Sequence, residues 1–578
     1  MNARWLALPA ILLVASACGE DACPGRRQTA FRDFDLDGYG DPAHAERVCP
    51  GTAGFVDNDQ DCDDTRGTTF PGAEERCDGR DQDCDGIIDE DGINPAAWYA
   101  DQDGDGYGAG ASTLACDPPA DGMVDRGDDC DDFDPDRHPN ADEPFCSTTD
   151  HNCDGQPPRP IARPDGTRYR HLPDAIADAL DGETVRLCPG RYDSPVVIST
   201  NLAIEGVTGL PEDVVIEIGE RPISVRAGRF TASGVTFRGD GVVRDVGAGI
   251  AVIRTARLTL DHCIVEGGAS ERGVGGISWD GDRPVDGPEV AIRDTRFVGN
   301  RGLTAGALQL WNAVPYTAVL ERLKVEDNHG ASGSGGLVVA SSSQEERLLE
   351  VIVRDSTFQA NTSENGNGGA LDVGGHGRLW VTLEDSTFAD NEARAAGAID
   401  IGSSNTSRTT FARVGFSGNH AWQGASALQI GSNDAETIDL EDVTFERNTR
   451  ESPHHHTIRL GGHGKATMSL NRVTLQHNAG GLEVAETLQP HEVTLTDCIF
   501  EDTESSALIA GDTPLAVVRG RFHRNGGAIE TGSDLTLDAV DLGSGEDDNV
   551  AFDLSVQRAE SRWDGVTTLT CVSGRCRP

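Results

Sequence analysis

The sequence predicts an all-β chain in two parts, a parallel β-helix of about eleven coils preceded by a loop-rich acidic region stapled by disulfides. Three observations carry this. An Asp-x-x-apolar-x-x-Asn motif returns at spacings of 22 to 33 residues, each time followed by a small-small-apolar-polar-apolar string, as in RDTRFVGN…AGALQLW and EDSTFADN…AGAIDIG. Between Gly19 and Gly155 stand 37 acidic residues against 9 arginines and no lysine. Nine of the 15 cysteines fall between Cys23 and Cys153.

The net charge of −49 makes nucleic acid an unsuitable partner, because binding it needs a basic face. Arg4 precedes an apolar run, Trp5 to Val14, that ends in Ala15-Ser16-Ala17-Cys18. A run this short, closed by small residues, reads as a cleaved export signal over 1–17, with a tether over 18–30. Cys18 in the place after the cleavage point resembles the lipobox of bacterial lipoproteins, which implies a lipid anchor at Cys18 and a cell-surface or outer-membrane location. Fifteen cysteines suit an oxidising compartment.

Residues 31–94 and 95–158 are two copies of one unit. Cysteines fall at 49, 62, 77 and 84, then at 116, 130, 146 and 153; four per unit allow three pairings, and spacing does not choose among them. Each unit opens and closes with an Asp-x-Asp-x-Asp-Gly string: Asp33-Asp35-Asp37-Gly38 and Asp81-Asp83-Asp85-Gly86, then Asp101-Asp103-Asp105-Gly106 and Asp150-Asn152-Asp154-Gly155. These match positions 1, 3, 5 and 6 of an EF-hand loop, where side-chain oxygens converge and glycine permits the turn. The match then stops, so they are half-loops. The middle clusters Asp61-Cys62-Asp63-Asp64 and Asp129-Cys130-Asp131-Asp132, with Asp89, are candidates for the missing oxygens. An all-oxygen donor set favours calcium over copper or zinc. The half-loops resemble thrombospondin type 3 repeats, and the whole unit resembles the metal-binding motif of MopE-type bacterial surface proteins. That resemblance implies copper, but the ligand positions hold no His or Met, so calcium is the expected ion.

After Pro157-Pro158-Arg159-Pro160 the pattern changes. Residues 159–190 read as linker and cap, with a short helix over Leu172–Leu180 whose apolar residues share one face. This stretch resembles the N-terminal cap of right-handed parallel β-helices of the pectate-lyase type, which implies that handedness for 191–545; residues 546–578 would close the other end. The apolar anchors are Phe237, Ile264, Phe297, Val325, Phe358, Phe388, Phe416, Phe445, Leu475, Phe500 and Phe522, and in eight coils an Asn stands three residues on, from Asn300 to Asn525. Such an Asn can bond its neighbours up and down the stack. The register sets Cys263 and Cys498 eight rungs, or about 38 Å, apart, so both should be buried thiols. Cys571 and Cys576 are candidates for a small loop, and Cys23 and Cys188 for a link between the two regions.

Aligning the string after each Asn gives an outward column: Ser278, Gln309, Val338, Asp372, Asp400, Gln429, Arg459, Glu483, Ile509 and Glu530. Paired carboxylates on successive rungs, Asp372 and Asp400, are what glycoside hydrolysis employs, and Arg459 could hold an acidic sugar. Against catalysis, the column also carries Val338 and Ile509, and the chain has only two lysines, Lys324 and Lys465. GGHG, at Gly374–Gly377 and Gly461–Gly464, resembles the Gly-His-Gly of β-helical pectin hydrolases, yet it reads as turn chemistry. His454-His455-His456 reads as a solvated loop. The expectation is a surface module that binds extracellular glycans or surface proteins, with a polysaccharide hydrolase or lyase as the alternative.

Overall fold

The computed structural model describes residues 23–577 except 24, 196, 244, 246, 282–288, 314–315, 343–347, 453–455, 486–490, 551–552, 557–558, 562–565 and 573–574. Cys18 and the export segment therefore lie outside the described residues, as do His454 and His455. The chain divides into two compact units, 1–157 and 158–578. Among the described residues no helix is long and apolar enough to cross a membrane.

The second unit is a parallel β-solenoid of about twelve turns. One coil shows the plan: a long strand Arg378–Glu384, an anchor strand Thr387–Ala389, a two-residue strand Glu392–Ala393 and a returning strand Ile399–Ser403. Each pairs in parallel with its counterpart one coil away, so Phe388 stands beside Phe358 and Phe416, and Asp372 beside Asp400. Alternation sends Leu371 and Val373 inward at 0% exposure while Asp372 faces out. The anchors stack as a ring ladder, Phe416 and Phe445 at 4.7 Å and 3°.

The Asn column is a hydrogen-bond ladder that runs rung to rung from Asn300 to Asn478. Asn391 donates its backbone N–H and its side-chain amide to Asn419 Oδ1, both at 3.0 Å, and Asn419 repeats this toward Asn448. Each amide also donates to an anchor carbonyl, as Asn419 does to Phe388 at 2.9 Å. Where the motif lacks Asn, Thr503 supplies the donors to Asn525, and Asn549 extends the ladder. The Asp of the motif has its own task. Asp294, Asp355, Asp385, Asp442 and Asp497 hold left-handed backbone at the turn before the anchor strand, and in other coils Arg322, Arg413, Arg472 and Arg519 take that place, a conformation Asp tolerates better than most residues. Neighbouring rungs then pair charges: Arg322 with Asp294 at 2.7 Å, Arg413 with Asp385 at 2.6 Å.

Four expectations need correction. Val265, not Ile264, is the inward anchor aligned with Phe237 and Phe297, because the left-handed position in that coil is His262 rather than Asp261. The cap helix is Leu172–Ala177, and Leu180 is exposed. Gly374 and Gly375 lie inside the returning strand Leu371–Gly375, not in a turn. His456 is buried rather than solvated.

Cys263 and Cys498 are buried and unpaired, and burial pushes their thiols up to about 12 and about 11. Cys571 and Cys576 face each other in the antiparallel strands that close the C-terminal end. At the other end a cap of two short strands, the helix and Glu183–Leu187 covers the first coil, so neither end offers a bare sheet edge.

The first unit contains two copies of a three-stranded antiparallel sheet, Gln28–Arg32 with Ala45–Val48 and Phe55–Val56, then Ala96–Ala100 with Ala109–Ala115 and Met123–Val124. Disulfides join Cys62 to Cys84 and Cys130 to Cys153, the same pairing in both copies. The other bonds leave the repeat. Cys23 holds Cys49, which removes it as a link to the solenoid, and Cys77 holds Cys116 of the second copy. Cys146 and Cys188 are disulfide-bonded as well.

Candidate metal centres and an outward carboxylate column

The opening half-loop of the first copy folds as the spacing requires. Leu36 N–H donates to Asp33 Oδ1 at 2.7 Å, Asp37 N–H to Asp35 Oδ1 at 3.3 Å, and Tyr39 N–H to Asp37 Oδ1 at 2.9 Å. Leu36 and Gly38 take left-handed backbone, and so do Cys84 and Gly86, Gly104 and Gly106, and Cys153 and Gly155 at the matching places of the other three loops. In the opening loop of the first copy these turns take one oxygen of each Asp and leave the second outside the turn.

Those second oxygens converge. Carboxylate oxygens of Asp33, Asp35 and Asp37 lie within 4.8 Å of one another, and so do those of Asp35, Asp61 and Asp64. Asp64 is drawn in by Phe34 N–H, which donates to its Oδ1 at 2.7 Å across 30 residues of chain. Oδ2 of Asp35, Asp37, Asp61 and Asp64 are all buried and accept no hydrogen bond among the described residues. Asp61 is 2% exposed and Asp64 7%. Burial, with the charges of Asp37, Asp35 and Asp64, pushes the Asp61 carboxyl up to about 6. Buried, unpaired anions this close are costly unless a cation joins them. Orphaned oxygens on four neighbouring carboxylates, in two groups that share Asp35, suit a hard divalent cation, which would supply the missing positive charge and cross-link the loop to the middle cluster.

The second copy repeats the arrangement with a difference. Oδ2 of Asp103, Asp105 and Asp129 are orphaned, and Asp103 is raised by burial and then by Asp129, Asp101 and Asp132. Asp132, the counterpart of Asp64, has its Oδ2 taken at 2.8 Å by the side chain of Gln102, which stands where the first copy has Phe34. Asp101 accepts from Gly104 and Gly106.

The closing half-loops draw in residues that a search for Asp-x-Asp strings passes over. Glu75 comes within 4.8 Å of Asp81 and Asp83, accepts from Gln82, Asp83 and Asp89 N–H, and is 5% exposed. Asp81 Oδ1 and Glu90 Oε2 are orphaned there, as is Asp150 Oδ1 in the second copy. Asp85, Asn152 and Asp154 each accept a backbone N–H at 2.8 to 3.1 Å in the turns. His151, a nitrogen donor in the Asp150 loop, has its Nε2 at 3.2 Å from Ser147 and its Nδ1 buried and unbonded among the described residues. Three candidates are otherwise engaged: Asp63 pairs with Arg66 and Asp131 with Arg137, and Asp89 accepts from Asp78 and Gly79 at 3.0 Å. Cys130 and Cys153, although close to Asp129, are tied in a disulfide and offer no thiolate.

On the solenoid, the outward column forms in the expected register, from Ser278–Gln309 to Ile509–Glu530. Asp372 and Asp400 are directly opposed, which puts them about 4.8 Å apart. Burial pushes both carboxyls well above the ordinary range, and the charge of Asp400 adds to the rise at Asp372. Arg459 sits two rungs on and pairs with Glu483 at 3.4 Å, so its charge is met within the protein.

The chain thus combines acidic loop modules, built to collect oxygen ligands, with a β-solenoid. A family model described as "Putative metal-binding motif", of the copper-binding MopE type, matches residues 61–90 and 129–157. The matches take in the middle and closing clusters of each copy and leave out Asp33–Asp37 and Asp101–Asp105. No curated protein and no solved structure matches the chain.

Proposed function

We propose that this is an exported surface protein, lipid-anchored through Cys18, in which calcium and disulfides stiffen an acidic stalk that carries a β-solenoid used for binding. The observation that carries the reading is the set of buried, orphaned carboxylate oxygens gathered by Asp35, Asp37, Asp61 and Asp64 and again by Asp103, Asp105 and Asp129. Oxygen-only donors at these two sites favour calcium over copper. In the second copy, with Gln102 on Asp132, binding is expected to be weaker. The ligand set is Asp33, Asp35, Asp37, Asp61 and Asp64 with the parallel Asp101, Asp103, Asp105, Asp129 and Asp132, joined by Asp81, Asp83, Asp85, Asp150, Asn152 and Asp154 in the closing loops. The solenoid supports a binding role because its outward columns are polar while its interior is packed. The test is thermal unfolding and protease resistance in calcium against excess EDTA. Loss of resistance within 31–158 on chelation is expected, and unchanged behaviour would refute the calcium reading.

A second reading, saccharide hydrolysis by Asp372 and Asp400, has one observation in its favour, the two raised carboxyls on adjoining rungs. New reducing ends from a polysaccharide panel, lost in Asp372→Asn, would establish it.

A further inference from the structure

Two cavities, of 450 and 280 Å³, adjoin along the outer face of the returning strands and share Gly402. Together they form a trough that crosses the coils from Trp311 to Arg459. Its floor is a column two places beyond the carboxylates: Trp311, Ala340, Gly374, Gly402 and Gly431 on successive rungs. Trp311 is 39% exposed at one end. One wall carries Asp400, Gln429 and Arg459, and the other carries His376, hydrogen-bonded to Ser404 at 2.9 Å.

Two of the floor glycines have no structural reason to be glycine. Neither Gly374 nor Gly402 has positive φ. A Cβ at Gly402 would meet nothing within 4 Å, and one at Gly374 would touch only Gly402 O at 3.9 Å. Glycine in a strand interior weakens it, and is kept where something must approach the backbone closely. The trough has a mixed polar and apolar lining, ends on an aromatic face, and contains no unpaired cation among its described lining, since Arg459 is met by Glu483. With its one arginine already paired, the trough offers a polyanion no free cation.

We propose that this trough binds a neutral, hydroxyl-rich saccharide chain running along the solenoid axis, with one ring stacked on Trp311 and hydroxyls bonded to Asp400, Gln429 and His376. The inference rests on the reading of the solenoid as a binding surface and deepens it. The test is affinity electrophoresis of the full chain in gels containing a neutral soluble glucan, a neutral xylan or polygalacturonate, in calcium buffer, with Trp311→Ala and Gly402→Leu. Gly402→Leu fills the floor at a place with room for a side chain, so its melting temperature should match wild type. The proposal expects retardation by a neutral polymer and not by polygalacturonate. It also expects about three- to tenfold weaker binding in Trp311→Ala and loss of retardation in Gly402→Leu. No retardation of wild type by either neutral polymer would overturn it, and so would preference for polygalacturonate. Retardation unchanged in both variants would overturn the trough while leaving a binding solenoid in place.

Discussion

The two units solve the same problem, an excess of negative charge, in opposite ways. In the solenoid carboxylates at the turns are paired. Asp294, Asp385, Asp442 and Asp497 each face an arginine one rung away, and the core is a continuous column of buried aliphatic and aromatic side chains. Among the described residues of the acidic unit the buried hydrophobic set is Ala30, while Phe34, Leu36, Ile87, Ile88, Leu114 and Phe133 are exposed. Its inward-facing groups are carboxylate oxygens without partners. One region folds around a hydrophobic core; the other needs covalent bonds and cations in that role. A disulfide constrains the unfolded chain but does nothing for a buried unpaired anion.

The largest expected effect breaks the comparison at one residue. Asp61→Asn removes a converging charge, so calcium binding at the first site should weaken by about 10- to 100-fold in a titration. Without calcium the same change relieves repulsion from Asp35, Asp37 and Asp64, and the acidic unit should melt higher than wild type in EDTA. A variant less stable in both conditions would mean that Asp61 serves packing and not a cation.

Next comes the solenoid's own ladder. Asn419→Ala strips two buried donors of Asn391 of their acceptor and the Phe388 carbonyl of its donor. The expected loss is about 3 kcal/mol, read by denaturant unfolding and independent of calcium. Calcium dependence of that loss would mean the two units do not fold separately.

A smaller effect concerns a place where the solenoid resembles the acidic unit. Asp372 titrates above its unfolded value near 4. The native state therefore holds the extra proton between those values, and stability falls as pH rises through the folded pKa. Asp372→Asn should be more stable than wild type at pH 8, on the order of 1 kcal/mol, and equal to it at pH 4. A gain at both pH values would point to packing instead of charge. Smallest of all, Arg413→Gln breaks an exposed pair with Asp385 and should leave the melting curve unchanged.

Much of the solenoid was legible because its repeat ties one residue type to one place in the coil. An inward anchor with Asn three residues later specifies both register and corner, and the outward column from Ser278 to Glu530 follows from it. The coil at Cys263 shifts by one residue from the sequence pattern because Asp261 mimics the motif while His262 does the turning. In the acidic unit the half-loops were legible as Asp-x-Asp-x-Asp-Gly, but their completion was not. Glu75 and Glu90 belong to no string, and the arginines that pair with Asp63 and Asp131 are not marked by one either. The disulfide from Cys77 to Cys116 crosses between copies, which no spacing within one copy can reveal. In the sequence Gly374 reads as a turn, because glycine signals turns more often than open floor.

Hydrogen exchange with peptide resolution, in calcium and in EDTA, tests the central claim that buried carboxylates in the first unit act through a bound cation. Amides of the loops around Asp33–Asp37, Asp61–Asp64, Asp101–Asp105 and Asp129–Asp132 should be protected in calcium and exchange rapidly in EDTA, while the solenoid strands exchange alike in both. Equal protection of those loops in the two conditions would contradict the account.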